Sequence, residues 1–230
     1  MRAKGNHLTL VPAKSDGTPV ALPGAGASAV ETRFALLAGD SWMTLPAPIR
    51  RRFSRHLADG QRIVYLGDVA ATHMTLMGRL IAQLARLVGA PLPLETSGCV
   101  PVTVIVTGSE RLGGQVWTRI YDRARGFAQV IQSVKHFGGA TGLEEIVARG
   151  VGMQLRLSVR DGALVFRSAG YFIRCLGVQL SLPAWLTRGV IEVVHREESA
   201  GRFSFSLSVT HTWAGHVIDQ IAFFREEHSS

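Results

Sequence analysis

Two cysteines in 230 residues, Cys99 and Cys175, cannot build a disulfide framework or a four-cysteine zinc site. Lysine is nearly absent: Lys4, Lys14 and Lys135 stand against 22 arginines. No uncharged apolar run approaches the roughly 18 residues that a membrane-spanning helix needs. The chain carries no G-x-G-x-x-G after a strand, no Walker loop, no G-x-S-x-G elbow and no H-E-x-x-H. His211 and His216 are five apart, an odd offset that puts two strand residues on opposite faces, and no third ligand follows at a metal-binding spacing. These absences exclude the common nucleotide, serine-hydrolase and zinc chemistries, so neither a metal nor a cofactor is expected.

What is present is a globular composition, 47% hydrophobic and 18% charged. The formal charge of +8 invites a nucleic-acid reading, because clustered Arg and Lys neutralise phosphates. Its distribution argues otherwise. The only dense cluster is Arg50, Arg51, Arg52 and Arg55, and no nucleic-acid-binding motif accompanies it. Nucleic acid is therefore not the expected partner.

Residues 1–40 are rich in Gly, Ala, Pro and Ser and read as a flexible leader without the continuous apolar core of a secretion signal. A cytoplasmic location follows by default, with both cysteines reduced and packed. Residues 41–230 read as a single β domain of the ligand-binding kind. Pro46 and Pro48 open a short helix over 46–58, with Ile49, Phe53 and Leu57 on one face and Arg50, Arg51 and Arg52 on the other. That basic face offers a contact to a membrane surface; the plainer reading is a lid with solvated arginines. A second helix spans 74–88, where Met77, Leu80, Ile81, Leu84, Leu87 and Val88 form a stripe expected to touch the core.

From residue 99 the period changes to two. Strands are expected at 99–107, 115–122, 128–137, 152–160, 163–168, 170–175, 178–182, 190–197, 203–211 and 216–225, after a first at 62–72. Asp161-Gly162 is a hairpin signal. A helix is expected over 142–149, because Thr141 and Glu144 fit a capping box and Gly150 would close it; Glu145 then points to solvent. The fold class is mainly β: an antiparallel barrel or strongly curved sheet, lipocalin-like or fatty-acid-binding-like, with two or three short helices.

Several polar residues invite function. Trp117, Arg119 and Tyr121 share one strand face, an arrangement that suits either solvent or a mixed cavity. Lys135 shares its face with Ile131 and Ser133. Buried, it would be an amine nucleophile or an anion anchor; the plainer reading sets it on the outer face. His136, His195 and His211 sit in strands, where a lone histidine is more often a packing residue than a proton shuttle. Leu182-Pro183-Ala184-Trp185-Leu186 is an apolar loop whose tryptophan could close a pocket mouth.

The strings GGQVWTRIY (113–121), SVKHFGGATGLEEIVARGVGM (133–153), FRSAGYF (166–172), LPAWLTRG (182–189) and GRFSFSLSVTH (201–211), with Gln220 beyond them, resemble the bacterial family of domain of unknown function 4166. The resemblance covers about residues 45–225. It carries over Trp117, Arg119, Lys135, Glu144, Gly150, Tyr171, His211 and Gln220 as motif positions. Ala140 and Thr212 stand where the family pattern has proline, so those two turns are looser here. Members joined to short-chain or saccharopine-dehydrogenase-like modules imply small-molecule metabolism and a reductase partner.

Two functions are thus expected of one barrel. The first is binding of a hydrophobic or acidic small molecule, with Trp117, Arg119, Lys135, Tyr171, His211 and Gln220 as ligand-binding candidates. The alternative is an isomerase, cyclase or hydratase drawing acid–base groups from Lys135, Glu144, Tyr171 and His211.

Overall fold

The structure is a computed structural model that describes residues 29–87, 99–123, 126–147, 150–175, 178–183, 187–199 and 201–227. Helix α1 (Ala29–Ala38), a 3-10 turn (Gly39–Thr44) and helix α2 (Ala47–Ser54) precede strand β1 (Arg62–Met74) and helix α3 (Leu76–Leu87). Ten strands follow: β2 (Val100–Ser109), β3 (Gly114–Tyr121), β4 (Gln129–His136), β5 (Glu144–Val147), β6 (Val151–Arg160), β7 (Ala163–Cys175), β8 (Val178–Ser181), β9 (Gly189–Ser199), β10 (Arg202–His211) and β11 (Gly215–Glu226).

Every strand pairing within the sheet is antiparallel. The sheet order is β6-β5-β4-β3-β2-β1-β11-β10-β9-β7, and β6 pairs with β7, so ten strands close a barrel. β8 stays outside the ring, paired to the second half of β7. Closure removes the edges that an open sheet of this length would expose. The inner face is read directly from the alternation. Val100, Val102, Val104 and Val106 of β2 are all buried, as are Tyr65 of β1 and Phe203 of β10. Asp161 and Gly162, both at positive φ (50° and 68°), form the expected two-residue hairpin turn between β6 and β7.

The β7–β9 ladder stops at Arg167↔Glu192. Beyond it side chains replace the backbone bonds: the Ile191 N–H donates to Ser168 Oγ at 2.9 Å, and the Tyr171 hydroxyl donates to the Gly189 carbonyl at 3.0 Å. Those two residues thereby hold the barrel shut where β7 passes from β9 to β8.

The two ends of the barrel are covered differently. At one end α2 seats Ile49 and Phe53, and α1 adds Phe34, whose ring meets those of Phe53, Phe137 and Phe166 edge-on. The expected leader thus reaches too far: residues 1–28 lie outside the described residues, but Phe34, within the expected 1–40, is part of the core. At the other end α3 starts on a Thr75 cap, whose hydroxyl accepts from the Gly78 N–H at 3.1 Å.

Three expectations are corrected. Residues 144–147 form a strand, not a helix: Glu144 and Glu145 pair with His136 and Lys135 of β4 and with Gln154 and Met153 of β6. Two neighbouring strands with open edges satisfy this backbone better than an isolated helical turn could. Thr141 bonds the Leu143 carbonyl instead of capping. Second, Met77, Leu80 and Leu84 of α3 are exposed; the helix rests on the barrel through Gly78, Ile81 and Ala82. The side chains of Leu87 and Val88 lie outside the described residues. Third, Cys99 and Cys175 are exposed free thiols and not packed ones.

Candidate functional site

The barrel interior holds a cavity of about 150 Å³. Its wall is mostly apolar, built from Val104, Trp117, Ile131, Phe166, Val193 and Phe205, and Phe53 of α2 lines it from the helix-covered end. The polar groups are few: Arg119, Ser133, Lys135, Glu145 and Gln220, with the phenol of Tyr121, whose pKa burial raises above 10.0.

Register explains why four of these meet. Lys135 of β4 is the direct cross-strand partner of Glu145 on β5, and Ser133 sits two residues away on the same face. Arg119 on β3 lies one pleat from Ser133, which pairs with Trp117. Lys135 Nζ donates to Glu145 Oε2 at 2.6 Å, and Ser133 Oγ donates to Glu145 Oε1 at 2.6 Å. Arg119 Nη1 donates to Ser133 Oγ at 3.0 Å, and its Nη2 reaches Glu145 Oε1 at 3.4 Å. Lys135 and Glu145 are 8% and 6% exposed, so both charges are taken out of water. The cluster carries two cations and one anion. Both ammonium and guanidinium also face aromatic rings: Lys135 Nζ stands 5.2 Å from the Trp117 ring centre and Arg119 Cζ 5.8 Å. The buried indole N–H of Trp117 has no partner among the described residues.

Burial pushes the Glu145 carboxyl up, but Lys135, Arg119 and the bonds from Lys135 and Ser133 outweigh it and bring the pKa down to about 2. Burial lowers the Lys135 ammonium, which Glu145 partly restores and Arg119 opposes; the net direction is down.

The expected candidates divide. Trp117, Arg119, Lys135 and Gln220 line the cavity, Lys135 facing inward against the plainer expectation. Tyr171 lies in the β7 seam, bonded to Ser168 and Gly189, and His211 stands at the end of β10 beside Trp213; neither lines the cavity. Glu144 has the opposite strand phase to Glu145 and is fully buried outside the barrel, taken by Arg174 and Gln179. The acid–base set Lys135, Glu144, Tyr171 and His211 is therefore dispersed. Glu145 is the residue that sequence reasoning missed. The signal was its place opposite the lone lysine of the barrel strands, hidden while 142–149 read as a helix. Trp185 lies outside the described residues. Among the described residues no group of three or more His, Cys, Asp or Glu comes together to hold a metal.

The arginines of α2 also sort themselves. Arg51 is exposed and Arg50 half-buried, whereas Arg52 turns into the domain and binds Glu197 and His195. His195 is fully buried among Phe53, Phe203 and Phe205. Because a guanidinium cannot accept, His195 Nε2 is the acceptor of the 2.8 Å bond from Arg52. Burial, then Arg52, hold its pKa well below 6.5.

These two groups set the acid limb of stability. Both titrate lower in the folded than in the unfolded chain, so the unfolded state binds more protons and stability falls with falling pH. His195 begins that fall below an ordinary 6.5, and Glu145 adds to it from 4.5 down toward 2. Denaturant titrations across pH should show both limbs. His195→Gln, which keeps an acceptor for Arg52, should remove the upper one only; an unchanged upper limb in that variant would contradict a neutral buried imidazole.

A family model described as Domain of unknown function (DUF4166) matches residues 45–224. No curated protein and no solved structure matches the chain. The matched segment runs from the turn before α2 through all but the last two residues of β11, and so includes both the barrel and the helix that closes it. The chain belongs to the family described as Domain of unknown function (DUF4166).

Proposed function

We propose that the barrel binds a small amphiphile, seating its anionic head, most simply a carboxylate, on Arg119 and Lys135 and its apolar body against Trp117, Phe166 and Phe205. The carrying observation is the composition of the cavity: a polar cluster with two cations and one anion at the wall of an otherwise apolar space. Such a site uses few convergent polar groups for orientation and apolar area for affinity. Glu145 holds Lys135 in place and stays ionised, so one positive charge remains for the ligand. A volume of about 150 Å³ lies below the ~300–1,000 Å³ of drug-sized sites, which limits the enclosed part to a short chain or a single ring.

Displacement of a bound fluorescent lipophile by octanoate and by octanol tests this. Octanoate should displace it and octanol should be weaker by about tenfold or more, the worth of hydrogen bonds to a charged group. Arg119→Leu should erase that preference. Equal displacement by acid and alcohol, or an unchanged preference in the variant, refutes the anion site.

A further inference from the structure

Register places α3, the β3–β4 turn and the β10–β11 turn at the same end of the barrel: Val69 pairs with Val100, Val102 with Tyr121, and Met74 with Ile218. That end is opposite α2. It exposes apolar side chains from three separate elements. On α3, Leu76, Met77, Leu80 and Leu84 are exposed, Leu76 at 83%. Phe127 in the β3–β4 turn is 96% exposed and Trp213 in the β10–β11 turn 76%.

The helix itself has three faces. At about 100° per residue, Leu76, Leu80, Leu84 and Met77 fall within an arc of roughly 100°. Gly78, Ile81, Ala82 and Ala85 occupy the next arc, of which Gly78, Ile81 and Ala82 meet the barrel; the Gly78 Cα lies so near the Val217 carbonyl that a Cβ would stand 2.1 Å from it. Arg79 and Gln83 fall on the remaining face, and the helix sequence contains no acidic residue. An apolar stripe bordered by arginine, on a helix held close to the domain by a small-residue face, is the pattern of a helix lying in a membrane interface. Trp213 adds an interfacial ring with the Arg188 guanidinium 4.2 Å above it. Of the described charged groups at this end, Arg79, Arg123 and Arg188 stand beside Asp68, Asp122 and Asp219, while Arg174 is taken by Glu144.

We propose that this end is a docking surface for anionic lipid bilayers, with α3 lying in the interface and Phe127 and Trp213 inserting beside it. Protruding tips on three elements, with Arg79 on an acid-free helix and Arg188 over Trp213, suit a fluid anionic surface better than the fixed contour of a second copy. The proposal does not depend on the cavity ligand, although docking here would set the barrel end away from α2 against the bilayer.

Co-sedimentation of the full chain with phosphatidylcholine vesicles, with and without phosphatidylserine, tests it. The chain should pellet with the phosphatidylserine vesicles and be released by salt. The double variant Leu80→Ser, Leu84→Ser and the single variant Trp213→Ser change exposed residues. Each should keep the wild-type thermal midpoint while losing about tenfold or more of vesicle affinity. Arg119→Leu, which disables the proposed ligand site, should pellet like the wild type. Failure of the wild type to pellet, or undiminished binding by the folded variants, overturns docking. So does a dimer in light scattering that Leu80→Ser, Leu84→Ser converts to monomer, since a second copy would then cover the stripe.

Discussion

Replacing Glu145 by leucine is expected to lower the unfolding free energy by about 3–5 kcal/mol, the cost of leaving a buried cation without its partner. The barrel has no second acid to take its place in the cavity among the described lining residues: Lys135 and Arg119 would face each other across Ser133 with only Gln220 and Tyr121 as polar company. For a domain of this size the melting midpoint should fall by roughly 10 °C. The double variant Lys135→Met, Glu145→Leu should recover most of the loss, because a well-packed apolar pair of similar volume replaces an ion pair at little net cost. The single variant should also gain stability as pH rises through the alkaline range. Its Lys135 is pushed down by burial with nothing to restore it, so the unfolded chain binds the extra proton. Equal stability of single and double variants would show that Lys135 escapes to solvent.

That outcome also bears on how the cluster could have been read. The faces of β3 and β4 follow from alternation alone, because Trp117, Arg119 and Tyr121 share one phase and Ile131, Ser133 and Lys135 another. Which face is inside is not in the alternation. It is set by closure of the ring where β7 passes β8 to pair with β9 and where β1 pairs with β11, contacts between strands that no local pattern identifies. Glu145 failed for a different reason. A four-residue strand is too short to show a period of two, and T-x-x-E before it satisfies a helix cap equally well. The signals that favoured a strand were positional: Gly139, Gly142 and Gly150 all take positive φ, turning the chain sharply before and after 144–147. Gly150 cannot bear a Cβ, which would stand 2.1 Å from the Arg174 carbonyl.

Helix α3 shows the complementary limit. Its amphipathic stripe was legible, but periodicity alone does not say which face the domain takes. The domain takes Gly78 and Ala82, because the close approach to β11 at Val217 admits only small residues. The larger residues are left outward. Tyr171 illustrates a third case. Its family position is explained by the seam it closes, a role visible only once β7 is seen to leave β9 for β8.

Arg52→Met should cost about as much as the loss of Glu145, again about 3–5 kcal/mol, for related reasons under the helix that covers the barrel. Both Arg52 Nη atoms lie 3.2 Å from Glu197 Oε2, Nη1 also reaches His195, and the guanidinium lies 3.8 Å over the Phe203 ring. Arg52 and Glu197 side chains are each only 9% exposed, so methionine leaves a carboxylate buried without counter-charge and an imidazole without its donor. Lysine keeps the charge but cannot bond both partners while stacking on Phe203, and Arg52→Lys should fall between the two. The loss should change little with added salt, because the pair is largely shielded from solvent. The companion variant Arg52→Met, Glu197→Leu should regain part of the stability. Helix α2 depends on this anchor, and Phe53, one residue on, lines the cavity. Loosening it should therefore speed the entry of lipophilic dyes into the barrel relative to the wild type. Arg52→Met within about 1 kcal/mol of wild type, a size typical of surface ion pairs, would place the anchor of α2 in Ile49 and Phe53 alone.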